Sequence, residues 1–426
     1  MRFGNCYKAK AWRVLGRPCR TNHPSNCAFR AFGTPQGYFI TEAVLNRISL
    51  HLGLSPDEVR VRNFLHPGDL SMQHVRLAPD DDALQRCWTE CAQLANVHQV
   101  RRQVDAFNQA NAYRKRGLAM VPVRWGIGMG GVGFEQGAVL VNIYLDGSVL
   151  ISHGGIEMGQ GLNTKVLQVA ARELKLPPTR LRVCETATDK VPNPTTTGGS
   201  QGSDVHGLAT QIACQELMRR LAPIRAANPQ DSWEQIIAKA YEERVNLSAT
   251  AVGRPHYEEG QKGQIRYFTS GAAAVLVELD CLTGESSLLT VHIVMDVGQS
   301  LNPAIDIGQI EGGFVQGYGL FVTEELAFCP ASGRLLSDSA GKYRIPRLQQ
   351  TPSVFKVALL RGHPERHNLY SSRGIGEPPV FLGNAAYAAV REAIRAARLE
   401  AGVKPDYPEQ LDAPLTPERT RLACIA

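Results

Sequence analysis

Apolar positions change their spacing several times along the chain, and each change marks a predicted element. The opening segment, to about Pro35, is polar and basic with no period and reads as loop. From about Gln36 to Leu52 a helix is predicted, with Ala43, Leu50 and neighbouring apolar residues forming its buried stripe and Gly53 ending it. Ser55-Pro56-Asp57-Glu58 marks another helix start, with proline in the first turn and acids near the positive end of the dipole. Ala78 to Tyr113 is amphipathic and predicted helical. Lys115-Arg116-Gly117 breaks that pattern, and a domain boundary is expected there, dividing residues 1–115 from 116–426.

Beyond Gly117 the texture turns to strands and glycine. Val139, Val141 and Ile143 alternate along one strand, Asp146-Gly147 is a two-residue hairpin signal, and Ser148 to Ser152 returns. Leu162, Val166, Val169 and Ala170 give a helix stripe, and Leu208, Ile212 and Leu217 sit on a later helix. Ala273 to Leu279 and Leu288 to Val297 form a further hairpin about Thr283-Gly284. A last helix from about Asn384 to Glu400 places Tyr387, Val390, Ile394 and Ala397 on one face, with Gly402 beyond it. Strands and helices interleave in irregular order, so the predicted class is α+β.

Composition narrows the setting. The net charge of +6 is spread along the chain, which gives no reason to expect a nucleic-acid partner. No apolar run approaches the roughly 20 residues of a membrane span, and Met1 to Cys6 has no apolar core of a signal peptide. Of the ten cysteines only Cys87 and Cys91 stand close together, one helical turn apart. Lacking a second pair or nearby histidines, they read as buried thiols rather than as part of a zinc or iron–sulfur set. A reducing, cytoplasmic compartment is expected.

Three glycine-rich turns each run towards a predicted helix: His153 to Gly161, Thr197 to Ser203, and Gly374 to Pro379. Glycine lets backbone N–H groups approach a ligand, and a helix amino terminus adds about half a positive charge, so these turns suit a phosphate or another oxyanion. Each alone also reads as a tight turn that needs glycine. Neither a Walker A nor a dinucleotide fingerprint stands in its proper context. Glu377, between Gly376 and Pro378, is a candidate general base. Glu157 and Glu311 lie in similar settings, and spacing does not rank the three.

Together these strings resemble the molybdenum-binding part of the xanthine dehydrogenase/aldehyde oxidase family. The likeness rests on Thr21 to Gly33 (TNHPSNCAFRAFG), the Gly154 to Gly161 loop, Val191-Pro192-Asn193, Met295 to Gly298, Leu301 to Gln309 (LNPAIDIGQ) and Gly376-Glu377-Pro378-Pro379, colinear from about Asn5 to Cys424. The resemblance implies a molybdenum–molybdopterin cofactor whose metal is held by the pterin dithiolene, with no confident protein ligand. It implies oxidative hydroxylation of purines, aldehydes or aromatic N-heterocycles with oxygen from water, in which a glutamate takes the proton from a metal-bound hydroxyl. Glu377 matches that base. Phe29, Arg30, Met158, Gly159, Gln160, Ser200, Gln309 and Gly376 match the cofactor cradle. Phe32, Met129, Gly198 and Gly199 match positions near the substrate, Phe32 as a ring that stacks on flat molecules.

On this likeness residues 1–115 are the remainder of a first molybdopterin-binding domain and 116–426 a second that carries the glutamate. The family's molybdenum region begins hundreds of residues earlier, so the chain is expected to be an incomplete gene product or one subunit of a split enzyme. Iron–sulfur (2Fe-2S) and FAD modules are expected on partners, and a homodimer is implied. Met129, where xanthine dehydrogenases carry an aromatic, together with Gly130, Gly131 and Gly133, points towards aldehydes and N-heterocycles; Pro378-Pro379 points the other way. A non-catalytic relic or assembly module is the other reading.

Overall fold

Two four-stranded sheets organise the chain, and their apolar patterns explain how each is covered. The computed structural model describes residues 3–129, 134–255, 265–403 and 411–425. Its elements run α1 (Thr34–Leu52), α2 (Pro56–Arg62), α3 (Ala83–Leu94), α4 (Val97–Ala110), β1 (Arg114–Ile127), β2 (Gly137–Ile143), β3 (Val149–His153), α5 (Leu162–Leu174), β4 (Leu181–Val183) and α6 (Gly202–Ala227). They continue α7 (Trp233–Glu242), β5 (Ser248–Gly253), β6 (Tyr267–Asp280), β7 (Ser286–Met295), α8 (Pro303–Tyr318), α9 (Ala340–Tyr343), β8 (Val354–Leu359), α10 (Pro379–Leu382), α11 (Asn384–Glu400) and α12 (Pro417–Ile425). The mixture is the α+β class expected. Among the described residues no helix is long and apolar enough to cross a membrane.

The first sheet has the order β1-β6-β7-β8, antiparallel except for the parallel β7–β8 pair. Side chains alternate across it, so both faces need cover. Val121, Val123, Trp125 and Ile127 meet α8, α10 and α11 on one side. Leu118, Met120, Ala272 and Ala274 meet α3 and α4 on the other. Gly117 allows α11 to lie close on β1, since a Cβ there would fall 1.8 Å from the Ala389 carbonyl oxygen. The second sheet, β4-β3-β2-β5, lays Val139, Val141, Ile143, Val149 and Ile151 against α5 and α6.

The helix predicted over residues 78–113 is two helices. They part at Ala95–Asn96, where Asn96 takes a left-handed conformation (φ 47°) that asparagine tolerates better than most residues. Cys87 and Cys91 both face the first sheet, their thiols donating to the Ser270 and His292 carbonyls at 3.7 and 3.5 Å. Burial pushes Cys91 up to about 12, as suits an inert core thiol. Gly53 ends α1 at φ 65°, and Ser55 caps α2 by accepting the Glu58 N–H. A buried Arg60–Glu42 ion pair of 2.8 Å ties these helices together. Residues 8–29 carry no helix and only exposed side chains, as their polar, aperiodic sequence suggested.

Candidate active site

Loops and helix ends enclose a hollow of about 550 Å³, within the range of small-molecule sites. All three glycine-rich turns reach it, together with Ala28 to Arg30 and the inner face of α8. Twelve of the thirteen residues singled out in the sequence line it: Phe29, Arg30, Phe32, Met158, Gly159, Gln160, Gly198, Gly199, Ser200, Gln309, Gly376 and Glu377. Met129 does not. Its sulfur packs behind the turn at Gly199, where a Cβ would meet it at 2.5 Å, and its N–H donates to Glu135 at 2.6 Å. Gly130, Gly131 and Gly133 lie outside the described residues.

The three turns differ in the N–H donors they leave free for an anion. Ahead of α5, the Glu157 carboxylate already accepts the N–H groups of Gly159, Gly161 and Asn163 at 2.9–3.0 Å. Gln160 is engaged by the same loop, donating to the Ile156 carbonyl at 2.8 Å. At the start of α10, the cap residue Pro378 and the first residue Pro379 have no N–H to offer. Only α6, opening at Gly202 without a side-chain cap, keeps the donor end expected of an oxyanion site.

Glu377 is 9% exposed and points its carboxylate at the Ser200 turn. Ser200 Oγ donates to Glu377 Oε2 at 3.1 Å and accepts the Glu377 N–H at 2.8 Å. One hydroxyl therefore fixes both the backbone and the carboxylate. Gly374 makes this possible: a Cβ there would strike the Ser200 carbonyl oxygen at 2.2 Å. Arg30 closes the other side. Its Nε donates to the Gly376 carbonyl, Nη1 to Gln316 Oε1 at 3.1 Å, and Nη2 to the Gln309 carbonyl and side chain at 3.1 and 3.3 Å. Burial lowers the Arg30 pKa, and the nearby Glu377 opposes that shift. Ala31 and Phe32 both hold positive φ (78° and 52°), which leaves the Phe29 and Phe32 rings half-exposed at the mouth.

Several lining residues were given no role by the sequence: Lys165, Asp204, Gln316 and Arg373, with Thr197 and Asp306 present only as members of their motifs. A signal existed for Gln316, which follows Gln309 by seven residues and so shares its helix face. Lys165 and Asp306 pair at 2.7 Å across α5 and α8, a contact no local pattern announces.

Two buried histidines back the first turn. His153, at the end of β3, accepts the Gly155 N–H at Nδ1 (3.2 Å), so its Nε2–H donates to Asn163 Oδ1 at 2.8 Å. His206 of α6 stands 5.6 Å away, ring to ring. Burial first, and His153 second, push His206 down to about 4. A histidine whose folded pKa is depressed leaves the unfolded chain binding more protons between about pH 6.5 and 4, so stability falls as pH drops through that window. At about 1.4 kcal/mol per unit, His206 withdraws on the order of 3 kcal/mol across it. Urea midpoints should fall below pH 6.5, and less steeply in His206→Gln; identical slopes in the two proteins would refute this.

Known proteins share this chain's sequence and fold. A family model described as a molybdopterin cofactor-binding domain matches residues 90–352, and a second of the same description matches residues 1–64. The chain is 45% identical over 428 residues to a xanthine dehydrogenase of Calliphora vicina, covering 99% of this chain and 31% of that protein. It is 44% identical over 429 residues to aldehyde oxidase 2 of Mus musculus, covering 100% of this chain and 32% of that protein. It thus spans about a third of the length of these relatives. Among solved structures, an aldehyde oxidoreductase from Desulfovibrio desulfuricans superposes with a TM-score of 0.81 at 23% identity, over 99% of this chain and 44% of that one. A CO dehydrogenase from Oligotropha carboxidovorans gives 0.77 at 19%, over 92% and 51%, and both likenesses bear on the fold. With its cofactor-binding models and its high identity along the whole length, the chain belongs to the xanthine dehydrogenase/aldehyde oxidase family of molybdopterin-binding proteins.

Proposed function

We propose that the hollow seats a molybdenum–molybdopterin cofactor and that Glu377 is the general base of an oxidative hydroxylation. The substrates would be purines, aldehydes or aromatic N-heterocycles, with water as the oxygen source. One observation carries the reading: the Glu377 carboxylate, the Gln160 loop and the uncapped start of α6 all face one hollow. The residues fit the group. The volume suits a tricyclic pterin with its phosphate. Open space stands where Gly159 would carry a Cβ, and the α6 terminus offers N–H groups to a phosphate. When bound, the cofactor supplies the two-electron oxidation and activates water.

The chain's own residues do the rest. Glu377 takes a proton at its carboxylate, and the Ser200 hydroxyl keeps that carboxylate aimed into the hollow. Arg30 fixes the Gly376 carbonyl, and with it the approach of Glu377, against Gln309 and Gln316. Phe29 and Phe32 offer rings to a flat substrate at the mouth, beside Gly198 and Gly199. Met158, Gly159 and Gln160 form the cofactor's other wall. Because Met129 stands behind Gly199, the substrate class is kept broad.

In this reading residues 1–115 complete one cofactor-binding domain and 116–426 form the next, α3 and α4 of the first lying against the sheet of the second. Electrons leave to 2Fe-2S and FAD modules on partners, in a cytoplasmic, homodimeric assembly. The test is metal and pterin analysis of the assembly purified from a host that makes the cofactor. About one molybdenum per chain, with turnover of xanthine or benzaldehyde, is expected. Its absence, with folding intact, would leave a non-catalytic assembly role.

A further inference from the structure

The run from Gly374 to Glu377 carries the carboxylate to the hollow, and two of its four residues are glycines. Glycine loses more freedom on folding than any other residue, so such a run takes its shape from whatever grips its backbone. Ser200 and Arg30 grip Glu377 and Gly376 from the hollow side. Gly374 is gripped from behind, by two buried side chains of β6. Tyr267 Oη accepts the Gly374 N–H at 2.8 Å, and Thr269 Oγ1 donates to the Gly374 carbonyl at 2.9 Å. Two positions apart on one strand, they share a face of the sheet.

The tyrosine reaches further. Its hydroxyl donates to Asp204 Oδ2 at 2.7 Å, in the first turn of α6. Asp204 is buried and takes two more donors: Arg266 Nη2 at 2.9 Å on the same oxygen, and Asn368 Nδ2 at 2.9 Å on the other. Burial first, and the Asp204 charge second, push the Tyr267 pKa up, so the phenol keeps the proton it donates. Asp204 follows Ser200 by four residues. The Ser200 turn and the Glu377 turn are therefore joined twice. Ser200 Oγ links them directly, and Asp204, Tyr267 and Gly374 link them from behind.

We propose, on the reading of Glu377 as general base, that Tyr267 and Thr269 are its positioning residues. By holding both polar groups of Gly374 they set the range and angle at which the Glu377 carboxylate meets its proton. Neither side chain lines the hollow, so their effect passes through the backbone of Gly374. Tyr267→Phe keeps the ring in its apolar cluster and removes only the hydroxyl. The Gly374 N–H then loses its acceptor, while Asp204 keeps Arg266 and Asn368.

Hydrogen exchange of the full-length chain, read by mass spectrometry, should run about tenfold faster over residues 372–378 in Tyr267→Phe and stay unchanged over α7. In the loaded assembly, kcat per molybdenum should fall about 10- to 100-fold with KM unchanged, as expected of a misplaced base. A merely structural loss would lower metal content in step with rate. Should Tyr267→Phe fail to fold, the threonine serves. Thr269→Val keeps the shape without the donor and should lose kcat; Thr269→Ser restores the donor and should recover most of that loss. Wild-type kcat per molybdenum in either Tyr267→Phe or Thr269→Val overturns the positioning role and leaves Glu377 as the base. Unchanged exchange over residues 372–378 overturns it too. If the wild-type assembly, loaded with molybdenum, turns over nothing, the hydroxylation reading falls and this role falls with it.

Discussion

Glu377→Gln should lose hydroxylation by a factor of about 10² to 10⁴, the usual worth of a positioned general base, while metal content stays unchanged. Glutamine keeps the shape, and the Glu377 N–H bond to Ser200 Oγ does not involve the side chain that changes. The amide oxygen can still accept from that hydroxyl. Only proton acceptance is removed. Glu157→Gln is the informative contrast. Its carboxylate holds three N–H groups of its own loop, so the change should cost about 1 kcal/mol of stability and leave the chemical step alone. Steady-state rates beside molybdenum content separate the two roles; full turnover of a normally loaded Glu377→Gln protein would remove the mechanism.

Gly317→Ala should destabilise the fold by about 3 kcal/mol or more, because the added methyl meets backbone rather than a side chain that can swing aside. A Cβ at Gly317 would sit 1.8 Å from the Val380 carbonyl oxygen, and one at Gly383 would sit 2.2 Å from the Gly317 carbonyl carbon. The two glycines face each other where α8 crosses α10, directly after Glu377, so any relief of the clash shifts that turn. Gly308→Ala and Gly312→Ala on the same helix meet nothing within 4 Å. They should stabilise by about 0.5–1 kcal/mol through propensity alone. Denaturant titration of the three variants would show the contrast; equal effects would mean that the crossing is looser than it stands here.

The same glycines explain what the sequence concealed. Residues 303–318 hold Gly308, Gly312, Gly313 and Gly317, a poor helix by propensity, and the pattern was read as motif rather than element. Its glycines serve close packing, which is a tertiary fact. The final helix, by contrast, was legible from Asn384 to Glu400 because its apolar stripe, alanine content and Gly402 agree. The break at Asn96 was missed since apolar residues continue through it. The parallel pairing of β7 with β8 joins residues 290–295 to 354–359, beyond the reach of any local signal. Likewise, spacing left Glu157, Glu311 and Glu377 unranked. Geometry separates them: Glu157 caps its own loop, Glu311 stands outside the lining, and Glu377 faces inward. Before coordinates, only the family likeness suggested that three distant turns share a hollow.

Arg30 joins the opening strap to Gly376 across 346 positions of chain. During synthesis this guanidinium leaves the ribosome long before its acceptors exist, and it must wait, solvated, for Gln309, Gln316 and Gly376 to be made. The wall they form together consequently cannot close until residue 376 has been made. Any cofactor seated there must enter after Gly376 has been made, as a guest of a wall already assembled rather than a template for its first segment.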